Sequence, residues 1–131
     1  MANRTIRIGN AGGYWGDDLS ALRRQLTGGQ LDYITIDFLA EITMSIMQKQ
    51  RQKDPTAGYA RDFVSQMKQL LPEIVKRKVK IITNAGGINP VGCAEAILKV
   101  ARELELDLKV GVVYGDDLMP RLGELEAAGH K

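Results

Sequence analysis

Two pairs of carboxylates and a set of glycine-rich and amide-rich loops carry the residues of this chain best suited to chemistry. Asp37 and Glu41 stand four residues apart, and Asp116 and Asp117 are adjacent. Such groups can bind a hard cation such as Mg²⁺ through oxygen or serve as acid and base. Each also has a plainer role: Asp116 or Asp117 can cap a helix, and Glu41 can complement a helix dipole. Gly12, Gly13, Gly86 and Gly87 let backbone approach a ligand closely, and their amides suit phosphate or carboxylate. Asn84 and Asn89 can orient a carbonyl by hydrogen bonding. Trp15, beside Tyr14, can wall an apolar ligand or pack beneath its loop, and the sequence leaves both open.

These residues fall in four stretches: GNAGGYWGDD (9–18), DFLAE (37–41), NAGGINP (84–90) and YGDD (114–117). Each follows an apolar run. Residues 5–9 alternate, with Ile6 and Ile8 on one side; 31–38 place Ile34, Ile36 and Phe38 on one face; 79–83 are almost continuously apolar and β-branched; and 108–114 form the fourth run. Helical patterns follow them, carrying Leu19, Leu22 and Leu26, then Leu39 to Met47, then Tyr59 to Ile74 with Pro72 as a kink or restart. Asn89-Pro90 opens another with an N-cap and first-turn proline, and Leu118 to Leu125 form the last. Strands alternating with helices imply an α/β fold built from right-handed crossovers. The expected architecture is three-layer, a mainly parallel sheet of about four strands with helices on both faces, Rossmann-like but incomplete. In such a sheet the four stretches leave the carboxyl ends of the strands and share one rim, where ligands bind. A small-molecule ligand is therefore expected there.

Composition narrows the classes further. The 131 residues fit a single α/β domain, 1–131, able to bury a core without disulfides. Eighteen basic and sixteen acidic residues are interspersed, leaving a formal charge of +2 and no footprint for nucleic acid. The densest basic run, Lys76 to Lys80, complements the end of a helix. Cys93 is the only cysteine, so a reducing, cytoplasmic setting is expected, and no segment reads as a signal peptide or membrane span. Cys93 itself reads as a packing residue. His130, the single histidine, lies at the penultimate position and supports neither a triad nor a zinc site.

Several motifs are excluded. Glycines at 9, 12, 13 and 16 do not make G-x-G-x-x-G, so a nucleotide-binding domain rests only on Asp37 at the end of a strand and on the glycine loops. Asn84-Ala85-Gly86 resembles a turn of short-chain dehydrogenases, but the Tyr-x-x-x-Lys pair of that chemistry is absent.

Taken in order, GNAGGYWGDD, DYITIDFLAEITMSIM, DPTAGYARDF, LLPEI, NAGGINPVGCAEAI and VYGDDLMPRL resemble the amino-terminal part of the acyclic terpene utilisation family, AtuA, from Ile6 to about Gly129. The resemblance implies catabolism of branched acyclic terpenoids, which proceeds through coenzyme A thioesters. It assigns no catalytic residue. Family members are longer, so the chain is expected to be the amino-terminal portion of a longer architecture, with an exposed sheet edge for a homo-oligomer or partner chain. The expected ligand is an acyl-CoA or another anionic branched-chain intermediate. The alternative is a non-catalytic assembly subunit of a terpenoid-degrading system.

Overall fold

The computed structural model describes residues 4–130. Strand β1 (Ile8–Asn10) leads through a loop to helix α1 (Ser20–Gly28), and β2 (Tyr33–Ile36) is followed by α2 (Thr43–Lys53) and α3 (Arg61–Arg77). Then come β3 (Lys80–Thr83), α4 (Pro90–Glu103), a 3-10 turn at Met119–Arg121 and a short α5 (Leu122–Ala127).

The strands pair in parallel in the order β1-β2-β3. The α/β class and parallel sheet are thus as the alternating pattern predicts. The sheet has three strands where about four were expected. Residues 108–114 keep the strand-like alternation of burial, Leu108, Val110 and Val112 being half-buried. Among the described residues, however, no backbone hydrogen bond joins 107–117 to the sheet. Alternating burial reports only which way side chains face, and a strand also requires a ladder. β3 therefore stands at an edge.

The layering also differs from expectation. Each crossover steps the same way along the sheet, and right-handed crossovers that never reverse place their helices on one side. Helix α1 accordingly packs on α3 and α3 on α4, and their buried residues share one cluster with Ile34 and Ile36. A second helical layer requires a reversal of strand order, which periodicity does not encode. The register aligns Ile8 with Tyr33 and Lys80, and Asn10 with Thr35 and Ile82, on the opposite face. There Ile8 and Ile82 are 64% and 56% exposed. Ile6 and Ile8 thus face away from the core, which β1 meets through Gly9.

Local signals explain the helix ends. Asp18 accepts from the Ser20 hydroxyl and amide at 2.7 and 2.8 Å, fastening the start of α1. Those bonds, with the Arg24 guanidinium, hold its carboxyl down at about 2. Asn89 caps α4 by accepting from the Gly92 amide at 3.1 Å, with Pro90 in the first turn. Helix α3 runs through Pro72 as one element of 17 residues. Its buried stripe of Phe63, Met67, Leu70, Leu71 and Ile74 faces the sheet, each large side chain contributing about 1.5–3 kcal/mol of burial. That packing outweighs the helix bond a proline removes.

Candidate functional site

The carboxyl ends of β1, β2 and β3 are tied together by named bonds. The Asp37 amide donates to the Gly12 carbonyl at 3.2 Å, and the Trp15 amide donates to the Phe38 carbonyl at 3.1 Å, so the first loop lies along the exit of β2. The Trp15 indole N–H reaches Asp62 on α3 at 3.0 Å, which anchors the ring to the fold. Gly13 spends its amide on the Asp17 carboxylate at 2.9 Å. The Gly12 amide has no protein acceptor among the described residues.

Between β2 and β3 the fastening is a side chain. Asn84 accepts the Phe38 amide at 2.7 Å and donates to the Asp37 carboxylate at 2.8 Å. The same Asp37 oxygen accepts the Leu39 amide at 2.8 Å. Phe38 is buried edge-on against Phe63, and its carbonyl takes the Thr43 hydroxyl at 3.0 Å. Held from these directions, Leu39 adopts φ 57°, a conformation that L-residues with large side chains rarely take. Such strain persists where the surroundings over-determine it, commonly at ligand sites. Glu41 is exposed and accepts the neighbouring Ala40 amide at 3.2 Å.

The third loop rests on a turn that sequence reasoning missed. The Gly58 carbonyl accepts the amides of Ile88 and Asn89 at 3.0 and 3.1 Å. Gly87, at φ 52°, packs so closely on Met47 and Gly58 that a β-carbon would collide with both. Its amide donates to the Asn84 carbonyl at 3.0 Å. The Asn89 amide group donates to the Ala57 carbonyl at 3.0 Å while its oxygen caps α4. Arg51 was also missed, since QKQRQKDPTAG (48–58) reads as a polar break after Met47, whereas α2 runs on to Lys53. The Arg51 guanidinium donates to the Ile88 carbonyl at 2.8 Å and lies 4.0 Å from Asp117, joining α2 to the third and fourth loops. Asp117 accepts the Met119 amide at 3.0 Å.

Two concavities reach this rim, and the first extends along the whole of β3 to Tyr33, Val79 and Lys80 at the other end of the sheet. This first one, of about 920 Å³, lies between β3 and 108–113, with Phe63, Met67, Leu71 and Ile97 behind it and Leu39, Asn84, Gly86, Gly87 and Asp116 among its other lining residues. Cys93 lines it too, its thiol pushed up to about 11 by burial. The second is a cleft of about 900 Å³ between α2, the start of α4 and 114–122, whose polar lining includes Gln48, Lys49, Arg51, Asn89, Asp116 and Asp117. Met44, Pro90 and Asp116 line both. Gly12, Gly13, Trp15, Asp37 and Glu41 line neither. Among the described residues no three His, Cys, Asp or Glu side chains gather as a metal-holding group, so the carboxylates do not assemble into the shared cation cage considered from sequence.

The molecule is thus a parallel α/β domain whose strand exits are laced into one rim beside an apolar cavity. The model of the acyclic terpene utilisation family protein AtuA matches residues 6–131, and the chain belongs to that family. No curated protein and no solved structure matches it. Among the described residues no helix is long and apolar enough to cross a membrane.

Proposed function

We propose that the chain serves acyclic terpene utilisation by binding a branched-chain intermediate, an acyl-CoA or a related acid, at the carboxyl ends of its strands. The observation that carries this reading is the lacing of Asp37, Phe38 and Asn84 beside an apolar cavity edged by Asn84, Gly86, Gly87 and Asp116. Largely apolar concavities with a few placed polar groups are the usual form of small-molecule sites, and Tyr33, Lys80 and Lys109 line this one away from the rim. Asp116 is the carboxylate best placed to meet the polar end of a ligand, because it lines both concavities and accepts no protein hydrogen bond among the described residues. Asp37 instead maintains the rim.

A thermal-shift titration with acyclic terpenoid acids and their coenzyme A thioesters tests this. Ligand at a hundredfold excess over its dissociation constant adds about 2.7 kcal/mol of apparent stability. Asp116→Asn should diminish the response while leaving the unliganded melting temperature unchanged. If no such compound shifts a cooperatively folded sample, the reading is wrong.

A second reading, a non-catalytic assembly subunit, is favoured by one observation: Ile6, Ile8 and Ile82 are 51%, 64% and 56% exposed, and the last two share the uncovered face of the sheet. Isoleucines exposed on a sheet face gain burial when a partner chain covers them.

A further inference from the structure

Parallel sheets are covered on both faces, either because the strand order reverses and brings helices to the second face or because the sheet closes on itself. This sheet does neither within one chain. Its strands step one way, β1-β2-β3, its helices gather on one side, and the other side carries Ile8, Asn10, Tyr33, Thr35, Lys80 and Ile82. A singly wound sheet is an arc of a barrel, and its bare face is the side that a barrel turns inward.

Both edges of the arc are open. The Tyr33 amide donates to the Arg7 carbonyl at 3.2 Å and the Ala11 amide to the Thr35 carbonyl at 2.9 Å. Backbone groups alternate along a strand, so Arg7, Gly9 and Ala11 turn theirs toward β2 while Ile8 and Asn10 turn theirs to the free edge. Beyond β3, segment 108–113 alternates in burial as a strand does and has no ladder among the described residues.

Surface area points the same way. The chain exposes 9267 Å², whereas a folded monomer of its 14.4 kDa exposes about 6,800 Å². The excess of about 2,400 Å² is roughly three times what each partner buries in a standard complex. No residue of 107–130 is buried.

We propose that two copies of this chain, related by a two-fold axis along the strands, close into one parallel barrel. The axis keeps every strand parallel, sets β1 of each copy beside 108–113 of the other, and turns both bare faces inward. Three strands and 108–113 give each copy four segments, so the pair holds eight, the number that closes a parallel β/α barrel. The cavity between β3 and 108–113 remains as a gap in the wall. Closure also sets the first loop, where the Gly12 amide has no protein acceptor among the described residues, beside the partner's fourth loop. The mouth is then built from both copies. This inference goes beyond the function proposed above and does not depend on it.

Sedimentation and hydrogen exchange of the unmodified chain test it together. A dimer should form, and on its formation the amides of Ile8, Asn10 and 108–113 should slow together, while those already laddered in β2 change little. Ile8→Pro removes a donor that faces only the free edge, so it should weaken the dimer roughly tenfold or more and leave the melting temperature of the dilute chain nearly unchanged. Should that variant not fold, the exchange pattern of the unmodified chain decides alone. A monomer at every concentration, another stoichiometry, a dimer that protects neither β1 nor 108–113, or a dimer indifferent to Ile8→Pro overturns the inference. Failure of the acyl-ligand titration by itself leaves the closure standing.

Discussion

Asn84 and Asp37 sit on neighbouring strand exits and share a hydrogen bond of 2.8 Å, while the other end of the Asn84 amide holds the Phe38 backbone at 2.7 Å. One side chain therefore sets the spacing of two loops. Asn84→Asp keeps an acceptor for Phe38 but turns a donor toward Asp37 into a second carboxylate. At neutral pH the variant should be destabilised by about 1–3 kcal/mol. One proton shared between two carboxylates relieves the repulsion, so the deficit should shrink as pH falls toward 4, within the ordinary carboxylate range. Urea denaturation at the two pH values measures this. A deficit that is equal at both would show that the pair is not in contact.

Gly87 provides a steric test of the third loop. Its φ of 52° and its contact with Met47 and the Gly58 carbonyl leave no room for a methyl group. Gly87→Ala should cost at least about 1–3 kcal/mol from overpacking, added to the cost of the left-handed backbone. Gly111→Ala is the comparison, because nothing lies within 4 Å of its added carbon and its φ carries no such penalty. The two melting temperatures should differ by several degrees.

How far this arrangement could be read in advance follows from what each signal encodes. Asn89-Pro90 announced the start of α4 because capping is a local property, and Ile34, Ile36 and Phe38 announced a buried strand face through their alternation. The glycine and asparagine loops were recognisable as strand exits for the same reason. Local pattern could not reveal that Ile6 and Ile8 face away from the core, since the facing depends on which side the helices take. Nor could it reveal the absence of a ladder beside 108–113. Arg51 and Gly58 were illegible because their partners, Ile88 and Asn89, lie more than 25 residues away, and nothing in QRQK or TAGY points there. Asn84 and Asp37 looked alike as ligand-facing groups, yet distant partners had already engaged both.

Leu39 separates the needs of folding from those of binding. Its φ of 57° is unfavourable for leucine and ordinary for glycine, and its side chain is 43% exposed. Leu39→Gly should relieve about 1 kcal/mol of backbone strain, partly offset by lost burial and by the entropy of glycine. Because Leu39 lines the apolar cavity, the same variant should bind an apolar ligand less tightly. Stability that holds or rises while affinity falls would mark the strain as serving the site. A fall in both would assign Leu39 to packing alone.

Cys93 reports on the cavity through its protonation. Burial raises its thiol from 9.0 to about 11, so the folded state holds the proton more firmly than the unfolded chain. The linked stability is fully present below pH 9 and is lost as pH rises through about 11. At pH 8 the folded protein should therefore react slowly with a thiol reagent, and the unfolded chain quickly. Because Cys93 lines the apolar cavity, a bound acyl chain should slow the reaction further. Rapid labelling of the folded protein would mean that the thiol is open to solvent.

The uncovered face of the sheet makes the last test. Ile8 on β1 and Ile82 on β3 flank the centre of that face at 64% and 56% exposure, while Lys80 lies 5.4 Å from the Tyr33 ring between them in register. Association is favoured because each of these isoleucines gains burial when the face, which also carries Asn10, Tyr33, Thr35 and Lys80, is covered. Ile8→Thr with Ile82→Thr retains β-branching, and with it much of the strand preference, while removing apolar surface. Sedimentation of the unmodified chain should show concentration-dependent self-association, and the double variant should shift toward monomer with its melting temperature little changed. The acyl-ligand response should survive in the single variant Ile8→Thr, since Ile8 lies outside the cavity, whereas Ile82 lines it and its replacement can weaken the ligand as well. A monomer at every concentration, in both proteins, would remove the observation that favours an assembly role and leave ligand binding as the function of this domain.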